Sequence, residues 1–259
     1  MKVLANDGIS QSGIEALEKG GFEVITTKVA QNQLENYINE NNIDVILVRS
    51  ATQVRQELID ACPSIKLIGR GGVGMDNIDV DYAIDHGLHV INTPNASSSS
   101  VAELVFAHLF GMVRFLHQAN REMPLEGDTR FKDLKKGFAG GTELRGKTLG
   151  IIGFGRIGKE VAKIALGIGM KVVANDGYVG EAIINVPFYN GQSIDVKIET
   201  EAFEEVIKLA DFITLHVPNQ EEYIIGDAQF KIMKDGVGII NAARGGVIDE
   251  VGLVKAIDS

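Results

Sequence analysis

The sequence contains few of the residues that build disulfide-bonded or metal-stabilised domains. Among its 259 residues there is one cysteine, Cys62, and there is no tryptophan. A single cysteine cannot close an internal disulfide or form a thiolate metal site. We therefore interpret Cys62, which precedes Pro63, as a structural residue in a protein of a reducing compartment. No pair of the five histidines has metal-ligand spacing, so no metal site is predicted.

Long apolar segments and excess positive charge are also absent. The most apolar stretch, Val101 to Leu116, has only ten uncharged residues between Glu103 and Arg114, which is too short to span a bilayer. The opening MKVLANDG has no signal-peptide pattern. A net charge of −10 repels phosphate backbones. We therefore expect a cytoplasmic protein with no membrane or nucleic-acid partner.

What is present is typical of an α/β protein of two domains. Short apolar runs recur at even spacing over the first ninety residues, with helical patterns between them. This alternation predicts a doubly wound parallel sheet. The runs are Val3–Ala5, Phe22–Ile25, Val45–Val48, Lys66–Ile68 and His89–Ile91. We predict one domain over residues 1–95 and a second α/β domain over residues 96–259.

The second domain has a similar pattern with two additions. Strands are predicted at Leu149–Ile152, Lys171–Ala174, Phe212–Leu215 and Val237–Ile240. A helix from Val101 to about His117 is apolar on nearly all sides, which fits a core helix or a core helix that also forms a subunit contact. Residues 122–141 are predicted to be mostly irregular. The alternating stretch Ile184–Ile198 around Asn190-Gly191 predicts a β-hairpin of unassigned function.

The chain ends soon after the start of another helical pattern. This pattern follows Asp249 and continues to Ser259. In a parallel sheet, a crossover helix leads to a further strand. We therefore expect the sequence to be the front part of a longer chain, with the C-terminal part of the second domain missing.

A glycine motif in the second domain predicts a dinucleotide site. The segment GFGRIG, residues 153–158, directly follows a strand and opens a helix, and Asp176 ends the next strand. Glycines at 153, 155 and 158 permit the tight turn, the approach of a pyrophosphate and close packing of helix on strand. The helix N-terminus stabilises phosphate charge. Asp176 can bind ribose hydroxyls and would repel a 2′-phosphate, which favours NAD over NADP.

Other strand ends have residues suited to binding an anion. Arg49 ends the third strand, and Arg70 lies in the glycine-rich segment GRGGVG at residues 69–74. Each arginine could contact a substrate or simply be solvated or salt-bridged. Arg244, after a later strand, would be at the same sheet edge as Gly153. His216, in the segment His216-Val217-Pro218, could be a cofactor contact or a capping residue.

Taken together, these segments resemble the D-isomer-specific 2-hydroxyacid dehydrogenases, and within that family the D-3-phosphoglycerate dehydrogenases. The similar stretches are GRGGVGMDNID, NTPNASSSSVAELVFAHL, ELRGKTLGIIGFGRIGKEVA, DFITLHVP and GIINAARGGVIDE. The resemblance implies a flavodoxin-like substrate-binding domain followed by a Rossmann NAD-binding domain. It also implies a homodimer formed through the helix near Val101.

Site residues follow from the resemblance position by position. Arg244 corresponds to the catalytic arginine, and Arg49 and Arg70 correspond to positions that receive a phosphate group. Gly72, Val73 and Gly74 correspond to the loop whose amides bind the substrate carboxylate. The implied cofactor-binding residues are Gly153, Gly155, Arg156, Ile157, Gly158, Asp176, His216, Val217, Pro218, Ala242 and Ala243.

The implied activity is NAD-dependent oxidation of 3-phosphoglycerate to 3-phosphohydroxypyruvate in serine biosynthesis. The alternatives are a glycerate, glyoxylate or hydroxypyruvate reductase of the same family, or an NADH-responsive corepressor-like binding protein. The family's acid/base histidine and its glutamate partner follow the Arg244 segment, and none of the five histidines corresponds to that position. This departure implies either a fragment of a longer enzyme or a catalytically incomplete chain, and the unfinished second sheet favours the fragment.

Overall fold

The computed structural model describes residues 1–218 and 220–259, which form two compact units, Met1–Ser97 and Ser98–Ser259. Each unit is built on a parallel β-sheet with helices between successive strands. The predicted α/β class with two doubly wound sheets is confirmed. The observed boundary lies at Ser97 and Ser98.

The first unit has a five-stranded sheet in the order β2-β1-β3-β4-β5, with every pairing parallel. Its strands are β1 Lys2–Ala5, β2 Glu23–Ile25, β3 Val45–Val48, β4 Leu67–Arg70 and β5 His89–Asn92. Its helices are α1 Gln11–Lys19, α2 Leu34–Asn41, α3 Gln56–Ala61 and α4 Val80–Asp85. The order reverses between β1 and β3, which opens a crevice at the carboxyl ends of these strands.

The second unit has a four-stranded parallel sheet in the order β11-β10-β6-β7. Its strands are β6 Thr148–Ile152, β7 Lys171–Asn175, β10 Phe212–Leu215 and β11 Gly238–Asn241. Its helices are α5 Ser98–Val113, α6 Leu116–Gly137, α7 Arg156–Gly167, α8 Phe203–Leu209, α9 Asp227–Phe230 and α10 Glu250–Ile257. The strand order reverses between β6 and β10.

One hydrophobic core of the second unit forms between the sheet and helices α5 and α7. Val105, Leu109 and Val161 are fully buried there, together with Leu149 and Ile151 of β6. Apolar residues recur every three or four positions along both helices, so each helix presents a continuous apolar face to the sheet. The predicted core role of the α5 helix is therefore confirmed.

The predicted hairpin is also confirmed. Strands β8 Glu181–Pro187 and β9 Ser193–Glu199 pair antiparallel around Asn190-Gly191. Its alternation buries Ile184 and Ile198 on one face. An isolated parallel bridge from Thr200 to Ala174 joins the base of the hairpin to β7.

The prediction that residues 122–141 are mostly irregular is wrong. Helix α6 covers most of this segment, although it contains Pro124 and has non-helical torsions at Arg130. Proline has no backbone N–H, so the helix lacks one hydrogen bond at this position. The helix-forming residues around Pro124 outweigh that loss. The preceding helix also ends earlier than predicted, at Val113. The Val113 carbonyl accepts the Thr142 N–H, and Phe115 adopts a left-handed conformation with φ +54°.

Within the described residues, no single helix has both the length and the apolar character needed to cross a bilayer. One bent pair, Ser98–Val113 with Leu116–Gly140, meets the length and composition criteria across a 58° bend.

Candidate functional site

The candidate residues of the second unit lie at the carboxyl edge of its sheet. Gly153 follows β6 with a φ of +91°, a conformation that favours glycine. A Cβ on this residue would lie 2.5 Å from the His216 carbonyl oxygen. Its N–H donates to the Asn175 carbonyl at 2.9 Å. Gly153 is therefore confined by the strand ends on both sides of β6.

The other two motif glycines differ in their surroundings. A Cβ on Gly155 would meet no atom within 4 Å, so the chain leaves open space where α7 begins. A Cβ on Gly158 would overlap the Gly153 carbonyl. The first-turn N–H groups of α7 have no intrahelical acceptors and point toward the open side. This combination of open space and helix N-terminus fits a pyrophosphate.

Asp176, the first residue after β7, is bound by backbone donors. Its Oδ2 accepts the Phe154 N–H at 2.7 Å, and its Oδ1 accepts the N–H groups of Tyr178 at 2.8 Å and Val179 at 3.0 Å. The carboxylate is thereby held against the glycine loop from the neighbouring strand. This is the location in which a Rossmann carboxylate meets a ribose.

His216 follows β10, and its ring faces the interior of the second unit. Nε2 lies 2.9 Å from Thr214 Oγ1, and Nδ1 is buried with no hydrogen-bond partner among the described residues. Burial lowers the pKa of His216 to about 4. The ring is therefore neutral at pH 7. Val217 is half-buried and Pro218 is exposed.

Arg244 lies in a turn after β11 that the Asn241 side chain stabilises. Asn241 Oδ1 accepts the Ala243 N–H at 3.0 Å, and Asn241 Nδ2 donates to the Arg244 carbonyl at 2.8 Å. The Arg244 guanidinium donates through Nη1 to the Ala243 carbonyl at 2.9 Å. Ala242, Ala243 and Arg244 thus follow the carboxyl end of a strand next to β10.

Two of the candidate residues of the first unit lie at a cavity of about 620 Å³. It lies at the carboxyl edge of the five-stranded sheet, and both Arg49 and Arg70 line it. Arg70 is the last residue of β4 rather than a loop residue, a small correction to the predicted strand end. Two strand ends thus place two arginines at one cavity, and arginine is a residue type suited to binding an anion.

The loop Gly72-Val73-Gly74 is not among the residues that line this cavity. The Val73 carbonyl accepts a hydrogen bond from Asn92 Nδ2 at 2.8 Å, and the Gly72 carbonyl accepts the Thr93 N–H at 3.2 Å. A Cβ on Gly72 would overlap the Arg70 guanidinium. Gly72 therefore makes the room in which the Arg70 side chain lies.

Sequence reasoning missed two polar residues here: Asp7, which lines the cavity, and Asn77, which binds the segment that contains Arg49. Burial acts to raise the pKa of Asp7, but hydrogen bonds from Arg49 and Thr52 outweigh it and lower the pKa below its ordinary 3.8. Asn77 is 7% exposed and bonds to the segment that contains Arg49. The available signal was the Asn6-Asp7-Gly8 segment directly after β1, where a parallel sheet places ligand-binding side chains.

No group of three or more histidine, cysteine or acidic residues suited to a metal ion occurs in the described ranges. Cys62 is buried beyond the end of α3, and burial, with the nearby Glu35 charge, raises the pKa of its thiol to about 11. It therefore remains a protonated, unreactive thiol at neutral pH.

Known proteins similar to this chain include phosphoglycerate dehydrogenases and a hydroxypyruvate reductase. The D-3-phosphoglycerate dehydrogenase of Methanocaldococcus jannaschii is 39% identical over 259 residues, which are 99% of this chain and 46% of that protein. The hydroxypyruvate reductase of Thermotoga maritima is 40% identical, and the match covers all of this chain and 79% of that protein. The chain thus spans about half the length of the phosphoglycerate dehydrogenase.

Solved structures have the same fold. The D-lactate dehydrogenase of Aquifex aeolicus, crystallised with NAD and lactic acid, matches all of this chain and 73% of that chain with a TM-score of 0.72 and 30% identity. Residues 106–259 match the family model described as D-isomer specific 2-hydroxyacid dehydrogenase, NAD binding domain. The chain therefore belongs to the D-isomer-specific 2-hydroxyacid dehydrogenase family, and its second unit contains that family's NAD-binding domain.

Proposed function

We propose that the protein acts as an NAD-dependent dehydrogenase that oxidises 3-phosphoglycerate to 3-phosphohydroxypyruvate, the entry to serine biosynthesis. One observation favours the phosphorylated substrate: Arg49 and Arg70 line the same cavity of about 620 Å³. A dianionic phosphate can engage two guanidinium groups, whereas an uncharged hydroxymethyl end cannot. Glycerate, glyoxylate or hydroxypyruvate reduction is the alternative within the family, and the Thermotoga maritima relative carries the last of these names.

The cofactor would be held by the glycine loop and its neighbouring strand ends. The open space at Gly155 and the α7 N-terminus at Arg156 and Ile157 accept the pyrophosphate, and Asp176 binds the ribose. Gly153 and Gly158 shape the loop. The backbone of the strand-end segments would contact the remaining parts of NAD. These segments comprise His216, Val217, Pro218, Ala242 and Ala243. When bound, NAD would supply the nicotinamide ring that accepts the hydride from the C2 carbon of the substrate.

Arg244 would act on the reacting end of the substrate. Its guanidinium would bind the carboxylate and polarise the C2 oxygen, which stabilises the charge on that oxygen as the hydride leaves C2. The hydroxyl proton would pass to the acid/base histidine that the family resemblance implies beyond the Arg244 segment. The turn at Asn241 orients the Arg244 backbone, which limits the positions that its side chain can adopt. Backbone amides of Gly72, Val73 and Gly74 would bind the same carboxylate.

Alanine substitution tests the substrate assignment. Arg49→Ala and Arg70→Ala should each weaken 3-phosphoglycerate binding by about tenfold or more, because a charged hydrogen bond is lost. D-glycerate binding should change by less than about threefold, since glycerate has no phosphate. Lys19→Ala, which removes an exposed charge at the end of α1, is the control. Isothermal titration calorimetry measures both ligands, and equal losses for both would overturn the assignment.

A homodimer through α5 is the second part of the proposal. Leu104, Phe110 and Met112 of α5 are 51%, 41% and 42% exposed. Exposed apolar side chains on a helix fit a subunit contact. Leu104→Lys should shift the protein from dimer to monomer in light scattering, whereas Ile84→Lys, at an exposed apolar position on α4, should not. A wild-type monomer would refute the dimer.

A further inference from the structure

The segment Arg49–Thr52 follows β3 without regular structure, and the Asp7 side chain binds its donors. Asp7 Oδ2 accepts the Arg49 N–H at 2.6 Å and the Thr52 N–H at 3.1 Å. Asp7 Oδ1 accepts the Thr52 hydroxyl at 2.7 Å. The Asp7 carboxylate, just after β1, therefore accepts hydrogen bonds from both ends of the Arg49–Thr52 segment.

Asn77 binds the acceptors of the same segment. Its Nδ2 donates to the Arg49 carbonyl at 2.8 Å and to the Thr52 carbonyl at 2.6 Å. The backbone carbonyl of Asn77 accepts the Val54 N–H at 2.8 Å, which fixes Asn77 to the chain just beyond the Arg49–Thr52 segment. The Arg49 N–H and the Arg49 carbonyl are therefore both held by side chains from elsewhere in the first unit.

Asn77 also reaches the second arginine. Its Oδ1 accepts a hydrogen bond from Arg70 Nε at 3.4 Å, while Arg70 Nη1 donates to the Gly71 carbonyl at 2.9 Å. One amide side chain, 7% exposed, thus contacts the backbone of Arg49 and the guanidinium of Arg70. Asparagine suits this position because it offers two donor hydrogens and an acceptor on one short side chain.

We propose that Asn77 is a positioning residue that sets the spacing between the Arg49 and Arg70 guanidinium groups and thereby determines selectivity for a phosphorylated over an unphosphorylated hydroxy acid. This proposal rests on the function proposed above. A phosphate bound by two arginines requires both at fixed positions, whereas a substrate without phosphate does not. Asn77 therefore affects phosphate recognition without contacting the phosphate.

The chemistry of the side chain defines the informative variants. Asn77→Asp keeps the size and an acceptor for Arg70, but it removes both donors and places a carboxylate against two carbonyl oxygens. Asn77→Ala removes the acceptor and leaves the Arg49 and Thr52 carbonyls without their buried donor. Asn39→Ala is the matched control, since Asn39 Nδ2 also donates to a carbonyl, that of Ala61, on the exposed surface of the same unit.

The test compares the dissociation constants of 3-phosphoglycerate and D-glycerate by titration calorimetry in wild type and variants. Both Asn77 variants should lower the selectivity for 3-phosphoglycerate by about tenfold, and Asn39→Ala should leave it unchanged. In the Arg49→Ala background, Asn77→Ala should have a smaller effect, because one of the two guanidinium groups is already gone. Folded Asn77 variants that retain wild-type selectivity would overturn the proposal.

Two further readouts separate the possible failures. In wild type, nuclear magnetic resonance should show that 3-phosphoglycerate shifts the Asn77 amide and Arg70 Nε–H signals together, a measurement that requires no variant. Unshifted signals despite 3-phosphoglycerate binding would refute the role of Asn77 alone. Wild-type protein that shows no preference for 3-phosphoglycerate would instead refute the proposed function, and the Asn77 role with it.

Discussion

The two units build candidate anion-binding sites on the same topology by different means. In the second unit, the site consists of backbone: glycines at 153, 155 and 158 and the first turn of α7. In the first unit, it consists of side chains: Arg49 and Arg70 line the cavity, and Asp7 and Asn77 hold their segments. A backbone site needs one contiguous segment, whereas a side-chain site needs residues from several strand ends.

This difference predicts how each site tolerates change. A backbone site fails where an added Cβ meets another backbone atom, because backbone cannot move aside. A side-chain site fails when charge or hydrogen bonding is removed, while its fold survives.

Gly153→Ala should be the most damaging change. The φ of +91° alone costs a non-glycine residue roughly 1–3 kcal/mol. The new Cβ would also lie 2.5 Å from the His216 carbonyl oxygen. Thermal unfolding should therefore show a melting temperature several degrees lower than wild type.

Gly155→Ala is the matched control, because its Cβ would meet no atom within 4 Å. Its melting temperature should equal that of wild type, while NAD affinity should fall by about tenfold or more, since the Cβ occupies the space needed by the pyrophosphate. Equal losses of stability in both variants would contradict the claim that a Cβ is excluded at Gly153 but accommodated at Gly155.

Acid should affect His216, in the second unit, and Asp7, in the first, in different pH ranges. His216 has a folded-state pKa of about 4 against an ordinary 6.5, so the unfolded state binds its proton first as the pH falls. The contribution of neutral His216 to the free energy of unfolding is complete above pH 6.5. It declines as the pH falls from 6.5 to 4, by roughly 3 kcal/mol in total. Asp7, whose pKa is lowered below 3.8, contributes stability that is lost only below that value.

Denaturant unfolding at a series of pH values measures these contributions. His216→Gln should remove most of the decline between pH 6.5 and 4, because glutamine can still bond to Thr214 but does not titrate. His86→Gln, at an exposed position, should leave the decline in place. An unchanged profile in His216→Gln would assign the decline to other groups.

Asp176→Ser should have a smaller effect on the fold than Gly153→Ala and a selective effect on cofactor binding. Loss of the carboxylate should weaken NAD binding by about tenfold. The ratio of NAD affinity to NADP affinity should also fall, since the repulsion of a 2′-phosphate is removed. Some stability is also lost, because three backbone N–H groups lose their acceptor. Titration calorimetry with both cofactors gives the ratio, for which Asp195→Ser is the surface control. An unchanged ratio would show that Asp176 does not select the cofactor.

Sequence reasoning performed well where the determining pattern is local. Strands at Val45–Val48 and Phe212–Leu215 agree residue for residue, because buried parallel strands are continuously apolar. The hairpin around Asn190-Gly191 follows from alternation and a turn dipeptide. The α6 helix was missed because Pro124 and Gly127 are poor helix formers, and their penalty was outweighed by neighbouring residues.

The sequence by itself determined the α/β class, the glycine loop with its helix, and the strand-end positions of Arg49, Arg70 and Arg244. These features depend on side-chain periodicity and on spacing within one βα unit, which a linear pattern contains. Only the tertiary structure decided that Asp7 and Asn77 hold the arginine segment and that His216 is partly buried and neutral. Those contacts join residues far apart in the chain, and their hydrogen bonds and desolvation exist only once the sheet has assembled.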